Sequence, residues 1–234
     1  GEKVCLNNHL VGGGFGRKLG PGMVVTAVRI AKQVDGPVKV VWPREEDIQH
    51  DIYRPIYRDT IAASLSGGKI VGWKYKITGS AILARWLPPA FQKGFDIDAI
   101  DSAVDVPYDI PNFHVEYVRA EPPAVPTGFW RGVGPNNNVF AVECFMDELA
   151  RKAGKDPVEF RRGMLANQPR FLSVINLAAE KAGWSQPLPP GVGSGVRLQT
   201  SFTSLIAPVV AAAVDEQGEI KSRRVHSVLV TTLA

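Results

Sequence analysis

"IYRDTIAASLSGGKIVGWKYKITG", residues 56–79, is two strand-like runs joined through Ser66, Gly67, Gly68 and Lys69. Glycines in such a turn can take positive φ, so the stretch reads as a hairpin and puts antiparallel sheet into the fold. Toward the C-terminus the period changes. Val139, Val142, Phe145, Met146 and Leu149 share one helical face from about 137 to 152, and "GKDP" ends the run. Pro157 suits the first turn of a short helix in "PVEFRRGML", and "FLSVINLAAEKAG", 171–183, reads as a third helix closed by Gly183. The proline-rich stretch 80–135 reads mostly as loop, with one strand near "FHVEYVRA", 113–120.

Toward the N-terminus, "KVCLNNHL", 3–10, holds a partial period of two through Val4, Leu6 and Leu10, and predicts a short strand. It runs into "VGGGFGRKLGPG", 11–22, where six of twelve residues are glycine. Pro21 suits the first turn of a helix, and Val24, Val25, Val28, Ala31 and Val34 recur at three- and four-residue spacing until "DGP", 35–37. "VKVVW", 38–42, reads as a buried strand and "PREEDIQHD" as a charged loop. The expected class is α+β, with mixed or antiparallel sheets packed with helices. The expected organisation is a first domain over 1–183, a linker over 184–195 and the start of a second domain over 196–234, with a hairpin around "DEQGE".

Composition narrows the function. With 45% apolar residues in 234, the chain can build a core, and 27 basic against 23 acidic residues form no stripe of the kind nucleic acid needs. Cys5 and Cys144 lie far apart with no CxxC, which suggests two buried free thiols rather than a disulfide scaffold or zinc site. The longest apolar run, "LIAPVVAAAV" at 205–214, is too short for a membrane helix and contains Pro208. The chain starts with Gly1 and stops within an apolar run, as expected of a segment of a longer protein.

The glycine loop has to be tested against phosphate motifs. A P-loop needs Gly-Lys-Ser/Thr after its four-residue gap, but Gly16 is followed by Arg17, Lys18 and Leu19, with no hydroxyl for magnesium. The dinucleotide pattern counted from Gly12 meets Arg17 where its last glycine belongs, and no all-parallel series follows. What remains is a backbone able to approach a ligand closely and to offer N–H groups to an anion or an electron-rich oxygen. For the loop taken alone, a tight turn in which Gly12 to Gly14 relieve crowding is the favoured reading; Phe15 among the glycines points instead to packing against something flat or a specific wall. A second loop, "PTGFWRGVGPNNN", 126–138, again precedes a helix and places Arg131 after Phe129 and Trp130. Arg131 could clamp a phosphate or carbonyl oxygen. The plainer reading is a surface arginine at a helix entry capped by Asn136 or Asn137.

"GGGFGRK" (12–18), "REEDIQHDIYRP" (44–55), "GFWRGVG" (128–134) and "ECFMDELARKAGKDPVEFRRGML" (143–165), in that order, resemble the molybdenum-cofactor-binding large subunits of the xanthine dehydrogenase and aldehyde oxidoreductase family, most of all the isoquinoline 1-oxidoreductase branch. The resemblance implies the cofactor-binding domain type of fold and a molybdopterin held by Gly13, Gly14, Phe15, Gly16, Arg17, Phe129, Trp130, Arg131 and Gly132. It implies oxidation of an N-heteroaromatic or aldehyde substrate with water as oxygen source. The cofactor would be the cytosine dinucleotide form, with Arg17 and Lys18 as candidates for its phosphates, and a small iron–sulfur subunit would carry [2Fe-2S] clusters. Leu19 stands where xanthine-oxidising members carry Glu, which argues against purine recognition of that kind. The family's general base lies near the far C-terminus, beyond this segment, so no catalytic residue is assigned here. Arg44 to Asp47 fit a solvated charge run, Glu143 helix packing or charge placement at a helix start, and the four histidines ordinary surface or core positions. The rival is a non-catalytic scaffold or partner-binding module.

Overall fold

The computed structural model describes residues 7 and 9–231, so Cys5 and most of the strand expected over 3–10 lie outside the described residues. The elements, in chain order, begin with α1 (Gly22–Ala31), α2 (Arg44–His50), β1 (Tyr57–Ser66), β2 (Lys69–Gly79), α3 (Leu83–Trp86), α4 (Ile97–Ile100) and β3 (Phe113–Arg119). Then follow α5 (Val133–Lys152), α6 (Pro157–Arg162), α7 (Pro169–Ala182), β4 (Val192–Val196), β5 (Gln199–Ser201), β6 (Ser204–Val214) and β7 (Ile220–Val230).

The hairpin forms as read. β1 and β2 pair antiparallel with Tyr57 opposite Gly79, and the turn uses Gly67 and Gly68 at φ 55° and 69°. β3 adds to the other edge of β2 in parallel, which makes the three-stranded sheet mixed and β2 its central strand. Hence Ile70, Trp73, Tyr75 and Ile77 of β2 are all buried.

α5 begins four residues before its apolar period, at Val133 rather than 137. Gly132 at φ 95° is its cap, and Pro135 is tolerated because the first turn makes no use of the missing N–H. Asn136 and Asn137 are therefore inside the helix rather than capping it. α6 starts at Pro157 as expected, with the Asp156 carboxylate accepting from the N–H groups of Val158 and Glu159 at 2.9 and 3.0 Å. α7 ends on Gly183 at φ 64°.

In the C-terminal sheet β4 and β5 pair with one edge of β6, and β7 with the other; β6 and β7 are the hairpin expected around "DEQGE". β4 begins at Val192, inside the stretch read as linker, because its backbone finds a ladder on β6. One buried cluster runs from β2 through α5, α6 and α7 to Val196, Leu198, Leu205, Ala207 and Val209.

A charged lock sits inside that cluster. The fully buried Arg161 donates from Nε to Glu143 (3.1 Å), from Nη1 to Asp147 (2.6 Å) and from Nη2 to the Glu143 carbonyl (3.0 Å). Glu143 also accepts from the Tyr108 hydroxyl (2.7 Å) and the Leu198 N–H (2.9 Å), so it ties the C-terminal sheet to the helices. Burial raises the Glu143 carboxyl above its ordinary value, against the pull of Arg161. Glu143 is mid-helix, not at a helix start, and its work is packing.

Three further expectations are corrected. "VKVVW", 38–42, is extended but in no strand, and Val38, Val41 and Trp42 are exposed, because no neighbouring strand among the described residues offers a ladder. "PREEDIQHD" is helical over α2, where Arg44 pairs with Asp47 and His50 with Glu46 at helical spacing. Cys144 is exposed rather than buried, being on the outward side of α5 four residues from exposed Phe140.

Candidate functional site

The first glycine loop turns tightly. Gly13, Phe15 and Gly16 take φ 108°, 51° and 83°, and the N–H groups of Lys18 and Leu19 donate to the carbonyls of Gly14 and Gly16 at 3.2 Å. Arg17 leaves this turn to form an ion pair with Asp51, just past α2. Asp51 also accepts from the Ile52 N–H at 2.7 Å, so the loop is tied to the segment that follows α2.

That segment holds the second loop as well. The Tyr53 N–H donates to the Pro126 carbonyl (2.7 Å) and the Gly128 N–H to the Tyr53 carbonyl (3.1 Å), while Arg54 donates from Nη2 to the Arg131 carbonyl (2.9 Å). Trp86 of α3 wedges between the loops. A Cβ at Gly20 would come within 2.6 Å of its ring and one at Gly128 within 3.2 Å of its Nε1, while the Phe129 ring lies 5.5 Å away. Arg85 adds a bond to the Thr127 carbonyl at 2.8 Å.

The two loops therefore touch. A Cβ at Gly16 would lie 3.0 Å from the carbonyl carbon and Cβ of Phe129 and 3.1 Å from the Trp130 nitrogen, so only glycine lets them approach this closely. Behind the second loop, Asn138 is buried, donating to the carbonyls of Ala99 (2.9 Å) and Asp101 (2.7 Å) and accepting from the Tyr75 hydroxyl (3.1 Å). Asn137 donates to Asp59 at 2.8 Å. These bonds fix the start of α5 and thereby the position of Arg131.

Two of the seven non-glycine residues at positive φ among the described residues belong to these loops. Phe15 and the β-branched Val133 both occupy positive φ, 51° and 42°, which side-chain-bearing residues adopt only when their surroundings impose it.

In front of the junction is a cavity of about 1310 Å³, lined by Gly13, Gly14, Phe15, Arg17, Trp130 and Arg131 together with α1. Six of the nine residues singled out from sequence thus face one space. Gly16 and Phe129 form the contact behind it, and Gly132 turns the chain into α5. Phe15 and Trp130 present open faces, 60% and 41% exposed, and the Arg131 guanidinium lies 5.8 Å over the Phe15 ring. Gly12 and Gly14 leave bare backbone: nothing lies within 4 Å of a Cβ at Gly12, and only the Lys18 Cβ, at 3.6 Å, near one at Gly14.

Trp86, Arg54 and Asp51 escape a reading of the sequence. No local pattern marks them, and "HDIYRP" stands out only as part of a longer motif. Of the histidines, His50 and His114 pair with Glu46 and Glu116, and His226 is half-buried in β7.

Bare backbone, two flat aromatic faces and guanidinium groups around a wide cavity fit a large planar anion such as a phosphorylated pterin. Among the described residues no group of three or more His, Cys, Asp or Glu could hold a metal ion.

Comparison with known proteins agrees on the class. The fold is shared with parts of solved oxidoreductases: quinoline 2-oxidoreductase from Pseudomonas putida 86 matches at TM-score 0.65 and 20% identity, over 91% of this chain and 32% of that one. Aldehyde oxidoreductase from Desulfovibrio gigas matches at TM-score 0.61 and 21% identity, over 90% of this chain and 25% of that one. Residues 1–165 match the molybdopterin cofactor-binding domain, and the chain belongs to that family. Among curated relatives, the beta subunit of isoquinoline 1-oxidoreductase from Brevundimonas diminuta is 30% identical over 205 residues, covering 86% of this chain and 26% of that one. The large subunit of nicotine 6-hydroxylase from Paenarthrobacter nicotinovorans is 30% identical over 189 residues, covering 72% of this chain and 22% of that one. The chain thus spans about a quarter of the first relative's length and a little less of the second.

Proposed function

We propose that this chain supplies two cofactor-holding loops to the large subunit of a molybdenum hydroxylase that oxidises an N-heteroaromatic or aldehyde substrate. One observation carries the reading. Two glycine loops far apart in sequence meet at Gly16 and Phe129, and open six of the proposed contacts into one cavity.

When bound, the cofactor supplies the redox chemistry and draws the substrate's oxygen from water. This chain's residues hold and shield it. The backbone at Gly13 and Gly14 makes the close approach, and the Phe15 and Trp130 rings bound the site on two sides and exclude water. Arg131 would bind the cofactor, with Gly132 setting the direction of the chain into α5, while Gly16 and Phe129 keep the loops in register. Arg17, already paired with Asp51, contributes position more than free charge, and Lys18 adds a cation nearby. The general base is assigned to a glutamate outside this sequence, the cofactor is the cytosine dinucleotide form, and a small subunit with [2Fe-2S] clusters takes the electrons.

The test is elemental analysis of the full-length protein purified with its small subunit from a molybdate-fed host. About one molybdenum per large subunit, with cytidine monophosphate released by acid, is expected. A folded, partner-bound sample with no molybdenum refutes the reading and favours the scaffold alternative. Gly14→Ala sharpens it: with only the Lys18 Cβ within reach, the methyl is expected to change folding stability by no more than ~0.5 kcal/mol. Metal content is nevertheless expected to fall, and unchanged content means that the backbone does not touch the cofactor. The 234-residue stretch alone is expected to show no dye-linked turnover.

A further inference from the structure

We infer that Arg54 and Arg131 together form an oxyanion site, taking a phosphate or carboxylate group, beside the cavity between the glycine loops, which Arg131 lines and Arg54 reaches through the Arg131 carbonyl. The inference rests on the cofactor reading for its biological ligand but on geometry for its existence. Arg54 donates from Nη2 to the carbonyl of Arg131, which places one arginine against the backbone of the other. Each guanidinium lies on a different ring, Arg54 at 5.7 Å over Trp130 and Arg131 at 5.8 Å over Phe15. Rings that fix a guanidinium plane leave its remaining N–H groups free to bind in the plane, the arrangement that suits a two-pronged grip on an oxyanion.

The charge arrangement argues for a ligand. Among the described residues neither arginine has a carboxylate partner, whereas Arg17 has Asp51, Arg44 has Asp47 and Arg161 has Glu143 and Asp147. The acidic residues lining the same cavity, Asp47 and Asp51, are thus already engaged. Burial and the charge of Arg131 both hold Arg54 below its ordinary value, so its protonated form is the one an anion would relieve. The two like charges repel each other, and an oxyanion between them would relieve that repulsion.

This moves the anion-binding role from Arg17 and Lys18, suggested by their place after the glycines, to a pair assembled from two distant segments. The ligand's source is the phosphate of the cofactor or a carboxylate on the substrate, and the two are separable.

Cofactor-free full-length protein is titrated with inorganic pyrophosphate and, separately, with benzoate, by calorimetry and by the tryptophan fluorescence that Trp130 contributes. Arg54→Gln keeps a donor for the Arg131 carbonyl and removes the charge; Arg54→Lys keeps the charge. At least one anion is expected to bind wild type, with affinity lowered tenfold or more in Arg54→Gln and in Arg131→Gln and partly restored in Arg54→Lys. Tighter binding of pyrophosphate, with less cytidine nucleotide retained by purified Arg54→Gln, identifies the cofactor phosphate. Tighter binding of benzoate, with nucleotide retained, identifies a substrate carboxylate. No anion binding by wild type, or wild-type affinity in both Gln variants, overturns the site. Anion binding that depends on Arg54, in a protein that carries no molybdenum even when purified with its small subunit from a molybdate-fed host, leaves the site standing and removes the cofactor reading. Normal molybdenum content with anion affinity insensitive to Arg54 does the reverse.

Discussion

α1 and α5 carry apolar residues at the same helical spacing and meet opposite fates. In α5, Val139, Val142, Met146 and Leu149 are buried against the sheets and the neighbouring helices. In α1, Met23, Val24, Val25, Val28 and Ile30 are all exposed, and no residue of the helix is buried. An apolar stripe states that a face prefers cover; it does not state what provides the cover. The core half of the molecule is closed by its own sheets and by a charged lock, and the half bearing the first glycine loop is open along the cavity.

The sharpest way to break this contrast is to attack the lock. Arg161→Met removes the only cation beside buried Glu143 among the described residues, leaving a carboxylate without its counter-charge and Asp147 without its bond. A loss of about 3–5 kcal/mol is expected by urea unfolding, since breaking one side of a buried pair leaves the other unpaired. Adding Glu143→Gln to Arg161→Met is expected to return part of that loss. A single-variant loss below ~1 kcal/mol means that the lock is not what closes the core.

The join between the core and the site is tested at Gly134. A Cβ there would lie 2.2 Å from the Asp98 carbonyl oxygen, so Gly134→Ala must push α5 away from α4. The expected cost is about 1–3 kcal/mol, typical of overpacking. Because Arg131 is carried on the same helix entry, the variant is also expected to weaken anion binding. Wild-type stability would show that the start of α5 has slack.

How much of this was legible in the sequence follows from the range of the interactions. Strands β1 and β2 and helices α5, α6 and α7 were readable because period, turn glycines and helix-start prolines act within a few residues. "VKVVW" misled because an apolar run specifies burial, while a strand also needs a partner for its N–H and C=O groups. "PREEDIQHD" misled in the other direction: its charges read as loop, yet pairs at three and four residues support a helix turn. At the site, the glycines and Arg131 stood out as local patterns. Arg54, Asp51 and Trp86 did not, because their roles exist only once segments 51–54, 85–86 and 126–131 are brought together.

A pH titration separates the two regions at smaller amplitude. Burial, with help from Asp96 and Asp101, lifts the Asp98 carboxyl to about 6 from its ordinary 3.8. The folded chain therefore holds this proton more tightly than the unfolded chain. Its stabilising contribution is complete below about pH 4 and is lost as pH rises through about 6. Asp98 is only half-buried, so solvent screening keeps the effect near ~1 kcal/mol. Asp98→Asn is expected to flatten the stability profile between those limits and to be the more stable protein above them; an unchanged slope assigns the pH dependence elsewhere.

The smallest expected effect is the most direct measure of the contrast. Val28→Asn on α1 removes an apolar group already 52% exposed, so folding stability is expected to shift by no more than ~0.5 kcal/mol. Val142→Asn, at the corresponding apolar stripe of α5, puts an amide into the packed core and is expected to cost several times as much. Amide hydrogen exchange reads the same difference without mutation. A ten-residue helix with no buried residue lacks the tertiary support that short helices need, so α1 is expected to exchange far faster than α5 or β2. If α1 is instead protected as well as α5, and Val28→Asn costs as much as Val142→Asn, the apolar face of α1 is covered in solution. The cavity between the glycine loops would then be narrower than the arrangement described above.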